Sequence, residues 1–277
     1  MAGWKICGNF TAEVNQNILI MKRNYLFLFA ALCTTLGAWA WGQKGHDVTA
    51  YIAEQHLTPE AKAKVIAALD GHSLVYYANW LDNASNTPEY RYTKTWHYKN
   101  VDEGETYENA PLAKTGDVVV ALGEIMSKLK NGNLSHDDEN VALRMLIHLV
   151  GDLHQPLHMG HRSDLGGNKV NIMSFNRPTN LHSYWDSELV EFVHKWSYSE
   201  WQFQIDRASA EEEAQIVSGD IDAWAKECVA ITAGVYADTP EGTKVSYDYG
   251  AKYAPVVEQQ LLKGGLRLAH LLNSIYR

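Results

Sequence analysis

Apolar residues recur every three or four positions through most of the chain from residue 46 onward, the spacing that gives a helix one buried face. "HDVTAYIAEQHL" (46–57) opens the series. Thr58-Pro59-Glu60 then restarts a helix at "EAKAKVIAALD", with a Thr cap and Pro at the first helical position. "DVVVALGEIMSKLKNG" (117–132) closes on Asn-Gly, a helix-stop signal. "HDDENVALRMLIHLVGDLHQP" (136–156) opens on acidic residues, which suit the positive end of the helix dipole, and stops at Pro156. The pattern predicts further helices over about 182–196, 208–236 and 252–275. Between 159 and 181, Gly166-Gly167 and Pro178 mark a long loop, with "NKVNIM" as a short strand inside it. The chain carries no repeat, no low-complexity tract and no Pro- or Ser-rich linker. The expected fold class is all-α: a single mainly helical domain.

The segment upstream follows a different rule. "MKRNYLFLFAALCTTLGAWA" (21–40) has two cations after Met21, an apolar run, and then Ala38-Trp39-Ala40. That is the charge, apolar and cleavage pattern of a secretory signal peptide, and its apolar run is too short for a comfortable membrane span. We therefore expect residues 1–20 to be an overextended start, 21–40 a leader cut after Ala40, and 41–277 the folded domain. The protein is expected to be exported, periplasmic or secreted, with no membrane anchor. Cys7 and Cys33 precede the cut, which leaves Cys228 alone and no intramolecular disulfide. An exported chain of this kind must be held by its core, by metal or by both, and a bacterial periplasm or secretome suits it best.

Charge narrows the partners. The chain has 24 Lys and Arg against 33 Asp and Glu, a net charge of −9. Removing residues 1–40 takes away Lys5, Lys22 and Arg23 against Glu13 alone, so 41–277 is more acidic still. Global charge then gives no help in binding nucleic acid, and any affinity for phosphate must come from a local feature such as bound cations.

Such a feature is written into the histidines and aspartates. His148 and Asp152 are four apart on one predicted helix and project from the same face. His158 follows Pro156, where the chain can turn back toward that face. His182 and Asp186 repeat the four-residue spacing on a second helix, "NWLD" ends in Asp82, and "TWHY" carries His97. Cleavage after Ala40 would free the α-amine of Trp41, five residues before His46. Together these are nine candidate metal ligands: Trp41, His46, Asp82, His97, His148, Asp152, His158, His182 and Asp186. Imidazole and carboxylate suit zinc where thiolate is absent, and nine ligands are too many for one tetrahedral ion and about right for three. The other histidines, His56, His72, His136, His154, His161, His194 and His270, are read as core or surface residues, with His154 the nearest to a supporting role.

The ordered set "WG…GH", "NWLD", "WHY", "HLVGDLHQPLH", "GGN" and "NLHSYWDSE" resembles the trinuclear zinc nucleases of the S1/P1 type, over the whole of 41–277. The resemblance implies a helical fold, related to zinc-dependent phospholipase C, with three zinc ions in a cleft. It implies that Asp82, His97, His148 and Asp152 hold the first zinc, and His158, His182 and Asp186 the second. The third would take His46, the amine and carbonyl of Trp41, and Asp152 as a bridge. The implied reaction is attack of a zinc-bound hydroxide on the phosphodiesters of single-stranded DNA or RNA, leaving 5′-phosphates, with removal of 3′-phosphates from nucleotides at the same site. Asp82 would also orient the attacking water as a catalytic residue. Tyr98 matches a position on which the family stacks a base, and Asn168 and Asn100 belong to the same pocket. The family often has Asp where this chain has Asn100 and Arg where it has Ser85, which bears on base preference and phosphate grip, with Arg91 or Lys94 available as replacements. A monomer is expected.

Two other readings compete. A zinc-dependent phospholipase C shares the central histidine-aspartate pattern, but usually completes its ligand set with His-x-x-x-Glu much closer behind, whereas His182 and Asp186 complete it here. A non-enzymatic zinc-binding protein would close its metal sites to water, and three clustered sites of the catalytic type are a poor device for folding stability alone.

Overall fold

The computed structural model describes residues 41–277. The expected start segment (1–20) and leader (21–40) lie outside the described residues.

Each predicted helix has a physical beginning. α1 (Gln43–Gln55) carries His46, and α2 (Pro59–Ala68) starts on Thr58, whose side chain accepts from Ala61 N–H, with Pro59 at the first helical position. Two short helices follow, α3 (Leu74–Tyr77) and α4 (Trp80–Ala84), and then a 3₁₀ helix over Arg91–His97. α5 (Val118–Asn131) is capped by Asp117 and ends on left-handed Gly132. α6 (His136–Leu153) starts on Ser135, which accepts from Asp138 N–H, with Asp137, Asp138 and Glu139 in its first turn. Pro156 does end this helix region, and Pro156–Met159 turns back as a short 3₁₀ segment.

The loop expected over 159–181 contains more order than one strand. β1 (Asn171–Ser174) pairs antiparallel with β2 (Arg177–Asn180), Asn171 opposite Asn180. The chain then continues as α7 (Leu181–Ser183), a π-turn (Tyr184–Glu188) and α8 (Leu189–Val193). After α9 (Tyr198–Ile205), the helix expected over 208–236 is two: α10 (Ala210–Ile216) and α11 (Ile221–Asp238). The break falls at Gly219, whose φ of +85° lies in the left-handed region, followed by Asp220, whose side chain caps α11 through Ala223 N–H. β3 (Lys244–Val245) joins β1 in parallel, giving the order β2-β1-β3. α12 (Tyr247–Ile275) begins five residues earlier than the apolar period suggested.

The all-α assignment therefore stands, with one small sheet added. α12 lies along α1, and Gly265 permits the approach, since a Cβ there would sit 2.5 Å from Ile52 Cβ. Buried apolar side chains form two clusters, one around α2, α5 and α6 and one around Trp41, Trp185 and Trp201, and α1 supplies both, with Ala50 and Ala53 to the first and Val48 and Ile52 to the second. Among the described residues no helix is long and apolar enough to cross a membrane.

Candidate metal centre

Eight of the nine sequence-derived ligands converge through side chains contributed by separate elements. α6 supplies His148 and Asp152, both fully buried, with His148 Nε2 3.2 Å from Asp152 Oδ2. α4 brings Asp82, whose Oδ1 lies 3.4 Å from His148 Nε2. The 3₁₀ helix ends on His97, whose Nδ1 is 2.9 Å from Asp152 Oδ2. From α1, His46 stacks on His148 with ring centres 4.0 Å apart and places Nε2 3.5 Å from Asp152 Oδ1. On the other side of Asp152, His158 Nδ1 stands 3.3 Å from Oδ1. His158 stacks on His182 at 5.3 Å, and Asp186 faces both rings, at 3.7 Å from His158 Nε2 and 3.2 Å from His182 Nε2. Four groups of side chains are close enough to hold an ion: His46, Asp82 and His148; His97, His148 and Asp152, which shares His148 with the first; His158, His182 and Asp186; and His56, Asp206 and Glu213.

The backbone sets the tautomers. His148, His158 and His182 each donate from Nδ1 to a carbonyl, of Ala78 at 2.7 Å, His97 at 2.6 Å and Gly166 at 2.7 Å. For His158 and His182, whose rings burial holds neutral, Nε2 is then the lone-pair nitrogen, aimed at a carboxylate, the arrangement that orients metal-binding imidazoles. Burial depresses His46 and His182 below the ordinary imidazole range and pushes His158 down to about 3, so these rings are held neutral, the form that binds metal. Asp186 behaves oppositely: burial, with the Asp152 and Asp82 carboxylates nearby, raises it well above the ordinary range despite a hydrogen bond from Gln155. At the heart of the centre the balance is reversed: against burial, the Asp152 and Asp82 carboxylates raise His148 well above the ordinary imidazole range, and His148 with the neighbouring imidazoles holds Asp152 well below the carboxylate range, so positive and negative charge are already paired there.

The orphaned atoms fit that account. His46 Nδ1 and Nε2, His97 Nε2, Asp152 Oδ1 and Asp186 Oδ2 are buried without a hydrogen-bond partner. Buried polar atoms of this kind are costly unless something pairs with them. A donor set of imidazole and carboxylate with no thiolate fits zinc.

Trp41 is fully buried and packs its ring on Gly45, while the next residue, Gly42, donates its N–H to the Asp186 carbonyl at 2.5 Å. Gly42, next to Trp41, is thus tied to the backbone of a candidate ligand. Tyr98 is 36 % exposed just after His97. Asn100 lies near Gly166, and Asn168 is partly exposed and donates to Leu165 O. Ser85 is buried and donates to Asp82 O, so it presents nothing to a substrate. The remaining histidines sit elsewhere: His154, for example, is buried between Val150 O and the Arg267 guanidinium.

Two residues were missed by sequence reasoning. Gln155 is fully buried and donates to Asp186, and its only sequence signal is its place inside "HLVGDLHQPLH". Gly151 gives His46 its room, since a Cβ there would fall 2.7 Å from His46 Nδ1.

Comparison with known proteins gives the family. The family model described as S1/P1 Nuclease matches residues 41–277. Endonuclease 4 of Arabidopsis thaliana is 30% identical over 271 residues, covering 87% of this chain and 90% of its own. Nuclease P1 of Penicillium citrinum is 27% identical, covering 85% and 98%, and Nuclease S1 of Aspergillus oryzae 25%, covering 89% and 95%. With the family model spanning every described residue and relatives matched over most of their length, the chain belongs to the S1/P1 nuclease family and is a nuclease.

Proposed function

We propose that residues 41–277 form an exported, monomeric nuclease that uses three zinc ions to hydrolyse single-stranded DNA and RNA to 5′-phosphate products, and that removes 3′-phosphates from nucleotides at the same centre. The observation that carries this reading is the meeting of five histidines and three aspartates around five buried atoms with no partner. Asp82, His97, His148 and Asp152 would hold one ion, and His158, His182 and Asp186 the second. His46, Trp41 and Asp152 would hold the third, with the Trp41 amine freed by cleavage after Ala40. Zinc supplies Lewis acidity there, drawing charge from phosphate oxygens and lowering the pKa of water.

The chain's own groups do the rest. Asp82 orients the attacking water, its side chain being slightly open to solvent while Asp152 is sealed. Gln155 holds Asp186 in place through one carboxylate oxygen. Tyr98 stacks a base, with Asn100 and Asn168 at its edge. An Asn both donates and accepts where a carboxylate only accepts, so Asn100 broadens base choice relative to relatives carrying Asp.

The test uses the protein beginning at Trp41, a short single-stranded oligonucleotide, a chelator, and phosphatidylcholine in parallel. Chelator-sensitive cleavage to 5′-phosphate ends supports the reading. Chelator-resistant cleavage, 3′-phosphate ends, or phosphocholine release without strand cleavage would overturn it.

A further inference from the structure

The 3₁₀ helix that delivers His97 is unusually long for its kind, at seven residues. With three residues per turn, positions three apart eclipse, and the helix presents three files instead of a spiral stripe. One file is the anchor: Thr93 is fully buried and donates to Tyr90 O, and Trp96 is buried and donates to Thr115 O. A second file is Arg91, Lys94 and His97, with both cations exposed and without an ion pair among the described residues. The next cation along the chain, Lys99, is by contrast tied to Asp117 at 3.0 Å. The third file is Tyr92, Thr95 and, just past the helix end, Tyr98; Tyr92 is 46 % exposed and meets the buried Trp96 edge-on at 5.2 Å.

We infer that this helix is a track for the single strand beyond the scissile phosphate, with Arg91 and Lys94 gripping successive phosphates and Tyr92 stacking a base. The inference rests on the nuclease reading above and extends it away from the metals. The cationic file ends on His97, whose Nδ1 touches the Asp152 carboxylate at 2.9 Å, so the track is continuous with the centre. Its members are about 6 Å apart along the helix axis, the reach of one sugar–phosphate repeat. In a chain of net charge −9, two free cations in line with the centre are a local answer to an unfavourable global field. Stacking on Tyr92 demands an unpaired base, so the track adds a reason for preferring single strands.

The experiment compares kcat/KM on an oligothymidylate of eight nucleotides with that on one of two, for chains matched in zinc content and circular dichroism. The preference for the longer strand falls about 10-fold in Arg91→Gln/Lys94→Gln, and the salt dependence of its log kcat/KM becomes shallower by about 1.4, two phosphates at about 0.7 each. Tyr92→Leu loses a similar preference with the salt slope kept, because stacking releases no counterions. Lys128→Gln/Lys130→Gln, removing two exposed cations of α5, retains both quantities. Track variants that keep the wild-type preference and slope, or a control pair that loses them equally, would overturn the track while leaving the nuclease reading intact. A wild-type chain that cleaves neither strand would overturn both.

Discussion

Gly151 stands beside Asp152 in the interior of α6, where glycine costs roughly 1 kcal/mol against alanine. The cost is offset by His46, which occupies the space a side chain would fill and would stand 2.7 Å from it through Nδ1. Gly151→Ala therefore exchanges helix propensity for a displaced imidazole. We expect the chain to fold, to bind one zinc fewer if His46 is a ligand as proposed, and to turn over single strands about 10- to 100-fold more slowly, as when a residue supporting a metal ligand is lost. Elemental analysis with initial rates measures both, and wild-type values for the two would remove His46 from the ligand set. The convergence of the candidate ligands was legible in the sequence because His and Asp at i and i+4 on an apolar-striped segment share a face, as His148 and Asp152 do. Gly151 and Gln155 were not legible as functional, because one acts by leaving space and the other through a contact 31 residues away, with Asp186.

Elements carried unequal signals. For α6 the pattern gives the start to the residue and the end to within three, since its acidic first turn and terminal Pro156 agree. The 3₁₀ helix left no periodic trace, because seven residues at three per turn are too few for the apolar pattern to declare itself, so Arg91–His97 stayed unassigned. Asp186 sits inside a π-turn, in which Leu189 N–H reaches back to Tyr184 O; such turns are frequent at functional sites, and the i, i+4 pattern of His182 and Asp186 gave no warning of it. A second element-scale feature ties α1 to α9 and α10. His56, the cap of α1, places Nε2 3.0 Å from both oxygens of Asp206 and Nδ1 3.8 Å from Glu213, while Gln202 donates to Asp206 and Asn273 to the His56 carbonyl. The hydrogen bond to Asp206 raises His56 above the ordinary imidazole value, against the partial burial of its ring. A raised folded-state value means this tether is complete below the unfolded value of about 6.5 and is lost as pH rises through the raised one. Hydrogen exchange, corrected for its intrinsic pH dependence, is expected to show α9 and α10 losing protection across that rise, and His56→Gln is expected to abolish the pH-dependent part. The same pH response in both chains would remove His56 as its cause.

At the scale of the whole molecule, the proposed zinc centre would make stability and activity draw on one set of atoms. Cys228 is the one cysteine among the described residues and is buried, so no disulfide within them links the elements from which the candidate metal ligands come. Three aspartates and five imidazoles gather side chains from separate elements around a single centre, and a cation there would count as folding energy. A site occupied at 1,000 times its Kd adds about 4 kcal/mol, which for a chain of this size corresponds to roughly 10 °C in Tm. The central claim, that one zinc cluster of three ions both supports the fold and cleaves the strand, is tested most directly by returning zinc in measured equivalents to the chelated chain beginning at Trp41. Cleavage of a single-stranded oligonucleotide and Tm are followed in the same samples. The account predicts a chelated chain that is inactive and melts at least about 10 °C lower, Tm rising as the ions bind, and full cleavage only at three equivalents. Full cleavage by the metal-free chain, or activity and Tm that both saturate at one equivalent, would contradict it.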